Sequence, residues 1–273
     1  MTRYISYILL VAILSISSNV AAWGQNGHRI IGKIADKHLT AQTREAIENL
    51  SNASLAQVST WPDEMRSNPA PFWQSQSGKW HYINMNAASE FKPDHYHIAA
   101  NKNEVTDIYA AILKAISVLK SPSASVHDKQ FYLRFLTHIV GDVHQPLHTG
   151  RSKDRGGNRI KVTFFGKETN LHSVWDTELV ESQNLSYTEF VEFIDTQNPQ
   201  TISKLLASEP KDWVLESFDL ARTIYRQEDT ELSYSYLYEN MPVVKQRLLA
   251  GGIRLAGLLN HIFDKSAPVL VSK

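Results

Sequence analysis

Residues 137–148 read THIVGDVHQPLH, and this stretch decides both the fold class and the chemistry. Tyr132, Phe135, Leu136, Ile139 and Val143 recur at helical spacing, so residues 128–145 are predicted to form a helix with one face in the core. His138 and Asp142, four residues apart, lie one above the other on that helix, where both can close on a single cation. Pro146 disfavours the helical state for the residue before it and ends the helix, and the turn it starts can fold His148 back toward the same pocket. A second pair with the same spacing, His172 and Asp176, stands in TNLHSVWD, residues 169–176. Neutral imidazole and carboxylate together suit zinc, so these two pairs and His148 supply five candidate ligands.

Working outward, the same periodicity predicts helices over residues 27–38, 41–50, 101–120, 213–226 and 243–263, with Thr40 as an N-cap of the second. Residues 159–165 read as a strand after the Gly156-Gly157 turn, while residues 74–78 and 90–103 read as loops. There is no internal repeat, low-complexity tract or linker. The expected fold is mainly α, a single-domain helical bundle with a short β-hairpin.

The first residues read as an export signal. Arg3 gives a basic start, residues 5–16 are mostly apolar, and Val20-Ala21-Ala22 places small residues where a signal peptidase reads. Cleavage is expected after Ala22, leaving a secreted or periplasmic protein of residues 23–273. The apolar run is short for a membrane span and nothing later matches its length, so no membrane span is expected. The whole chain balances 28 basic against 28 acidic residues, and loss of Arg3 leaves the mature chain near neutral. Without a broad basic face, tight binding to duplex DNA is not expected. Cysteine is absent, so there is no disulfide and any metal must be held by nitrogen and oxygen.

Further ligand candidates flank these pairs. WPDEMR contributes Asp63 and Arg66, and KWHYIN contributes His81, although Asp63 is equally compatible with capping a turn and His81 with a hydrogen-bonded core imidazole. The mature chain would begin Trp23-Gly24-Gln25-Asn26-Gly27-His28. A free α-amino group has a pKa of roughly 7.7–8 and can shed its proton to a metal. Its nitrogen and the Trp23 carbonyl would form a five-membered chelate, with His28 reaching in from the next helix.

With WGxxGH, WPDxxR, WHYIN, HxxxDxHQPLH, GGN, NLHxxWD and the WxxES of Trp213 to Ser217 in this order, the chain resembles the trinuclear-zinc nucleases, also called S-one/P-one nucleases. These single-strand-preferring endonucleases are related to bacterial zinc phospholipase C. The late AGxRLAxLLN stretch is similar too. The resemblance implies three Zn2+ per chain. Asp63, His81, His138 and Asp142 would hold one; the Trp23 amine and carbonyl, His28 and the second oxygen of Asp142 another; His148, His172 and Asp176 the third. His144, inside HQPLH, is assigned a structural hydrogen bond to the site. His95 and His97 read as solvated loop residues.

The activity so implied is hydrolysis of single-stranded DNA and RNA to 5′-phosphorylated products, with 3′-nucleotidase activity, by water activated at the cluster. Asp63 would orient that water or take its proton, and Arg66 would bind the phosphate, although an ordinary ion pair also accounts for Arg66. Tyr82 could stack an unpaired base, with Asn84 and Asn158 available to the nucleotide; core packing accounts for Tyr82 equally well. Asn84 is an amide where the family commonly offers an acid. A monomer is expected. A phospholipase C acting on phospholipid head groups is the alternative, disfavoured because Asp176 stands where those relatives use glutamate. A non-catalytic zinc-scavenging protein would need closed metal sites.

Overall fold

The computed structural model of the chain describes residues 23–96 and 105–267; the expected export signal, His97 and residues 101–104 of the helix expected from residue 101 lie outside the described residues. Numbering only the longer helices, the described residues form α1 (Gln25–His38), α2 (Ala41–Ser51), α3 (Ile108–Lys120), α4 (Val126–His144), α5 (Tyr187–Ile194), α6 (Pro199–Leu206), α7 (Pro210–Ile224) and α8 (Tyr234–Phe263). Three short strands, β1 (Lys161–Phe164), β2 (Lys167–Asn170) and β3 (Glu231–Leu232), make one sheet in the order β2-β1-β3. The mainly α fold with a hairpin is as expected.

Local chemistry accounts for most element ends. Thr40 accepts from the Thr43 amide at the start of α2, and Ser125 accepts from Asp128 at the start of α4. The α3 helix begins at Ile108 and not at residue 101, because the Asp107 side chain accepts from the Tyr109 and Ala110 amides and fixes the N-terminus there. Phe165 and Gly166, both at positive φ (49° and 77°), supply the two-residue turn that joins β1 to β2. The strand expected over residues 159–165 is shorter, and β3 adds a parallel partner to β1 that the sequence pattern did not show.

Other expectations are corrected. Residues 74–78 are not a loop: a helical turn, Pro71–Ser75, runs into a 3-10 turn, Ser77–His81. Residues 88–90 and 93–96 are also helical turns. The last helix starts at Tyr234, nine residues before the expected start. Pro242 lies inside it but on its exposed side, so the backbone bond it removes faces solvent. No helix among the described residues is long and apolar enough to cross a membrane.

One hydrophobic core runs through the molecule, and α1 and α8 cross at its centre. Their backbones approach closely at Gly252, where a Cβ would meet the Ile34 side chain at 2.5 Å. The α4 helix packs on α1, α3 and α8, so its C-terminal turn ends in the interior. There, residues 133 and 135–144 are all buried.

Candidate metal centre and cleft

Burial of the α4 C-terminus brings His138 and Asp142 into a nest of imidazoles. Asp142 is fully buried, with Oδ2 2.9 Å from His81 Nδ1 and 3.2 Å from His138 Nε2, and Oδ1 3.3 Å from His28 Nε2. His138 Nε2 is also 3.1 Å from His81 Nδ1 and 3.7 Å from Asp63 Oδ1. The His28 and His138 rings stack with centroids 3.8 Å apart. Gly141 makes this possible, since a Cβ there would lie 2.8 Å from His28 Nδ1. The expected ligands from WPDEMR, WHYIN, α1 and α4 therefore converge.

A second cluster forms one turn away. Pro146–Thr149 is a 3-10 turn that folds His148 back, as expected from Pro146. Its Nε2 lies 3.7 Å from Asp176 Oδ1, and His172 Nε2 lies 2.9 Å from Asp176 Oδ2. The His172/Asp176 pair spans a π-helical segment, Val174–Glu178, inside the helical run from Leu171 to Glu181. Such π turns recur at functional sites.

Second-sphere bonds orient the rings. His138 Nδ1 donates to the Ser59 carbonyl (2.7 Å), His148 Nδ1 to the His81 carbonyl (2.5 Å) and His172 Nδ1 to the Gly156 carbonyl (2.7 Å). In each ring this leaves Nε2 facing the cluster, the usual arrangement for a metal-binding imidazole. Gly156 can present its carbonyl because it sits at φ 61°, and a Cβ there would meet the Leu147 carbonyl oxygen at 2.5 Å. Gln145, fully buried, donates its amide to Asp176 Oδ1 and accepts from the Leu147 amide at 2.5 Å.

The donor atoms fit metal. Two ligands of a tetrahedral zinc at about 2.0–2.1 Å lie roughly 3.3–3.4 Å apart, close to the separations here. His28 Nε2, Asp142 Oδ1 and His148 Nε2 are buried without a hydrogen-bond partner, their nearest polar neighbours being other candidate ligands. Orphaned buried polar atoms are costly, and cations would satisfy them together. Among the described residues three groups could hold metal: His28, Asp63 and His138; His81, His138 and Asp142, which share His138; and, apart from them, His148, His172 and Asp176.

In the metal-free chain the charges are strongly coupled. Burial acts to raise the Asp142 carboxyl, but His138 and His148 outweigh it and hold the group well below the usual carboxylate range. Burial pushes His81 down to about 4 despite Asp142, and burial with the neighbouring His138 lowers His28. His148 is pushed up to about 9, because Asp142 and Asp176 outweigh its burial.

Trp23 is buried at the base of α1, and the neighbouring Gly24 amide donates to the Asp176 carbonyl at 2.7 Å. A cleft of about 530 Å³ opens over the metal groups. Arg66, Tyr82, Asn84 and Asn158 line it, with His81 and His172 among the residues of its floor. Tyr82 is 38% exposed, so core packing does not account for it. Arg66 Nη2 pairs with Asp63 Oδ1 at 2.8 Å while still lining the cleft. Asn158 donates to the Arg155 carbonyl at 2.8 Å.

Other histidines stand apart. His144 is buried, donates from Nδ1 to the Val140 carbonyl and accepts at Nε2 from Arg254, so it is structural. Burial and the charges of Arg247 and Arg254 hold it well below the usual imidazole range. His95 is exposed. Sequence reasoning missed Trp73, Lys79 and Arg155 on the cleft wall, Gln145 at Asp176, and the role of the late motifs. Glu216 pairs with Arg247 and Arg254, and Ser217 accepts from Arg247 while donating to the Val143 carbonyl, tying α7 and α8 to the end of α4.

Comparison with known proteins places this geometry. The S1/P1 Nuclease family model matches residues 23–264. Endonuclease 3 of Arabidopsis thaliana is 31% identical over 94% of this chain and 94% of its own length. Nuclease S1 of Aspergillus oryzae is 27% identical (92% of this chain, 95% of its own). Nuclease P1 of Penicillium citrinum is also 27% identical (88% and 97%). The chain therefore belongs to the S1/P1 nuclease family, and it is a nuclease.

Proposed function

We propose that this nuclease hydrolyses phosphodiester bonds in single-stranded DNA and RNA, leaving 5′-phosphates, and also removes 3′-phosphates from nucleotides. The observation that carries the reading is the convergence of three His/Asp groups with orphaned donor atoms beneath one open cleft. Three zinc ions are assigned. Asp63, His81, His138 and Asp142 would hold one; His28, Asp142 and the main-chain amine and carbonyl of Trp23 another; His148, His172 and Asp176 the third. When bound, zinc supplies Lewis-acid activation of water and neutralises phosphate charge.

The protein's own groups do the rest. Asp63, buried at Oδ1 and paired with Arg66, is poised to orient the attacking water and take its proton. Arg66, about one-quarter exposed at the cleft wall, is the charge-assisted donor to a non-bridging phosphate oxygen. Tyr82 offers a ring face to an unpaired base, worth about 1–3 kcal/mol per base and tolerant of sequence. A base within a duplex is already stacked, so the ring favours single strands. Asn84 and Asn158 give the base and sugar amide partners in place of a charge.

We also assign residues 1–22 to a removed export segment, since only its loss frees the Trp23 amine. The deciding experiment uses processed, zinc-loaded protein. Acid-soluble nucleotides should be released from denatured DNA much faster than from duplex, with no choline phosphate released from phosphatidylcholine. Equal rates on duplex and denatured DNA, or release of choline phosphate, would overturn the substrate assignment.

A further inference from the structure

We propose that a second cavity beside the metal cleft is a phosphate subsite for the backbone of the single strand being cut, an inference that rests on the nuclease reading above. This cavity, about 260 Å³, is lined by Asn86, Thr149, Arg151, Arg222, Tyr225 and Arg226 among others, and no lining residue is acidic. Arg151 is fixed in place: its Nε and Nη2 bind Asp154 Oδ2 at 2.8 and 2.7 Å, and its guanidinium lies 3.7 Å over the Tyr225 ring. Tyr225 in turn donates its hydroxyl to Asp154 and accepts from the Arg151 amide.

The other two arginines are poorly compensated. Arg222 has only the exposed Asp219 at 3.8 Å, and Arg226 has no carboxylate within ion-pair distance among the described residues. Glu90 stands near the rim, where it accepts from the Asn86 amide at 3.0 Å. Arg151 is matched by Asp154, so the charge left open to a ligand is that of Arg226 and, in part, of Arg222. The carbonyl end of α7 attracts cations and accounts for Arg222 and Arg226 being basic. It does not account for Arg151, which comes from a distant segment to face the same space.

The cavity continues the cleft. The Ile83 amide donates to the His148 carbonyl (2.8 Å) and the Met85 amide to the Gly150 carbonyl (2.9 Å), so residues 83–85 run alongside the end of the Pro146–Thr149 turn. Asn84 and His148 line the cleft; Asn86 and Gly150, two residues further along, line the basic cavity. Two extended residues span roughly 7 Å, against roughly 3.4 Å of rise per nucleotide in a stacked strand. A strand that leaves the cleft along this segment thus reaches the rim of the basic cavity roughly two nucleotides on. Guanidinium groups bind phosphodiester oxygens without regard to base.

The test compares zinc-loaded wild type with the double variant Arg222→Ala/Arg226→Ala on two substrates, a dinucleoside monophosphate and a single strand of about twelve nucleotides. The variant should raise KM for the long strand about 5- to 20-fold with kcat unchanged, and leave the dinucleotide unaffected. The dependence of log kcat/KM on log salt should become shallower by about 0.7 per lost contact. Arg222→Lys/Arg226→Lys should restore most of the long-strand KM. Equal loss on both substrates, or an unchanged long-strand KM, would overturn the subsite. So would a variant whose only change is weaker inhibition by inorganic phosphate, because the cavity would then take free phosphate alone. If wild type cleaves neither substrate, the nuclease reading itself fails. Anisotropy of a labelled long strand then decides the subsite: about tenfold weaker binding by the variant supports it, and equal binding overturns it.

Discussion

Asp142 touches three imidazoles from three parts of the chain while having no exposure to water. If it is shared by two metals, as proposed above, it is the residue whose change is most diagnostic. Asp142→Asn keeps the shape and removes the charge, so zinc should fall from three to one per chain and activity by about 10³-fold or more. Elemental analysis of dialysed protein reads this directly, and near-native zinc would remove Asp142 as the bridge. Gln145 acts at one remove, through Asp176 Oδ1. Gln145→Leu should weaken metal at the His148/His172/Asp176 group about 10- to 100-fold, the usual cost of losing an outer-sphere partner. Competition with a zinc chelator measures it, and unchanged affinity would reduce Gln145 to packing. His148 sets the pH dependence. Its folded pKa, raised to about 9, means that the metal-free chain carries a proton there at neutral pH. Zinc must displace that proton, so affinity at this group should rise about tenfold per pH unit up to about 9 and flatten above it. Calorimetry in buffers of different ionisation enthalpy counts the proton released; uptake at pH 7 with none released would contradict the sign.

Between elements, the critical approach is α4 onto α1 at Gly141, whose missing Cβ leaves room for the His28 ring. Gly141→Ala gains helix propensity yet must push His28 aside. The expected result is loss of the zinc assigned to His28 in the proposed set and about 1–3 kcal/mol of destabilisation from overpacking. Thermal melts and zinc content check this together, and a higher melting temperature with full zinc would exclude a tight fit. Legibility divides along the same line. His138/Asp142 and His172/Asp176 were readable because helical spacing alone puts each pair on one face, and α2 because Thr40 caps it through local bonds. The π turn within the second pair was not, since nothing in the spacing distinguishes it from α-helix. Residues 71–81 carry loop-forming Gln, Ser and Gly but wind into turns because Phe72, Trp73 and Trp80 pack against Phe131 and Phe135. The same packing sets Trp73 and Lys79 on the cleft wall, where no sequence pattern announces them. Pro242 hid the first turns of α8 because a proline's cost depends on which side of the helix faces water.

At the scale of the whole molecule, the chain's two ends of function meet at Trp23. The indole is buried in the core, Gly27 lies against it, and the Gly24 amide is held by the Asp176 carbonyl, so the start of α1 is fixed beside the His148/His172/Asp176 group. Such fixation would let the proposed main-chain chelate form without ordering a loose terminus at the moment of binding. The chelate needs a primary amine, however, and an amide nitrogen in mid-chain has no available lone pair and cannot take that role at neutral pH. Zinc stoichiometry should therefore depend on processing: a chain beginning at Trp23 should bind three zinc ions, and one with any residue retained ahead of it should bind two. The retained form should also melt lower, by an amount that shrinks when both are stripped with chelator, because only bound metal stabilises the native state preferentially. Mass spectrometry under native conditions compares the forms side by side. Equal zinc in both would take Trp23 out of the metal set and leave His28 and Asp142 to hold that ion with water, while the remaining ligands would stand.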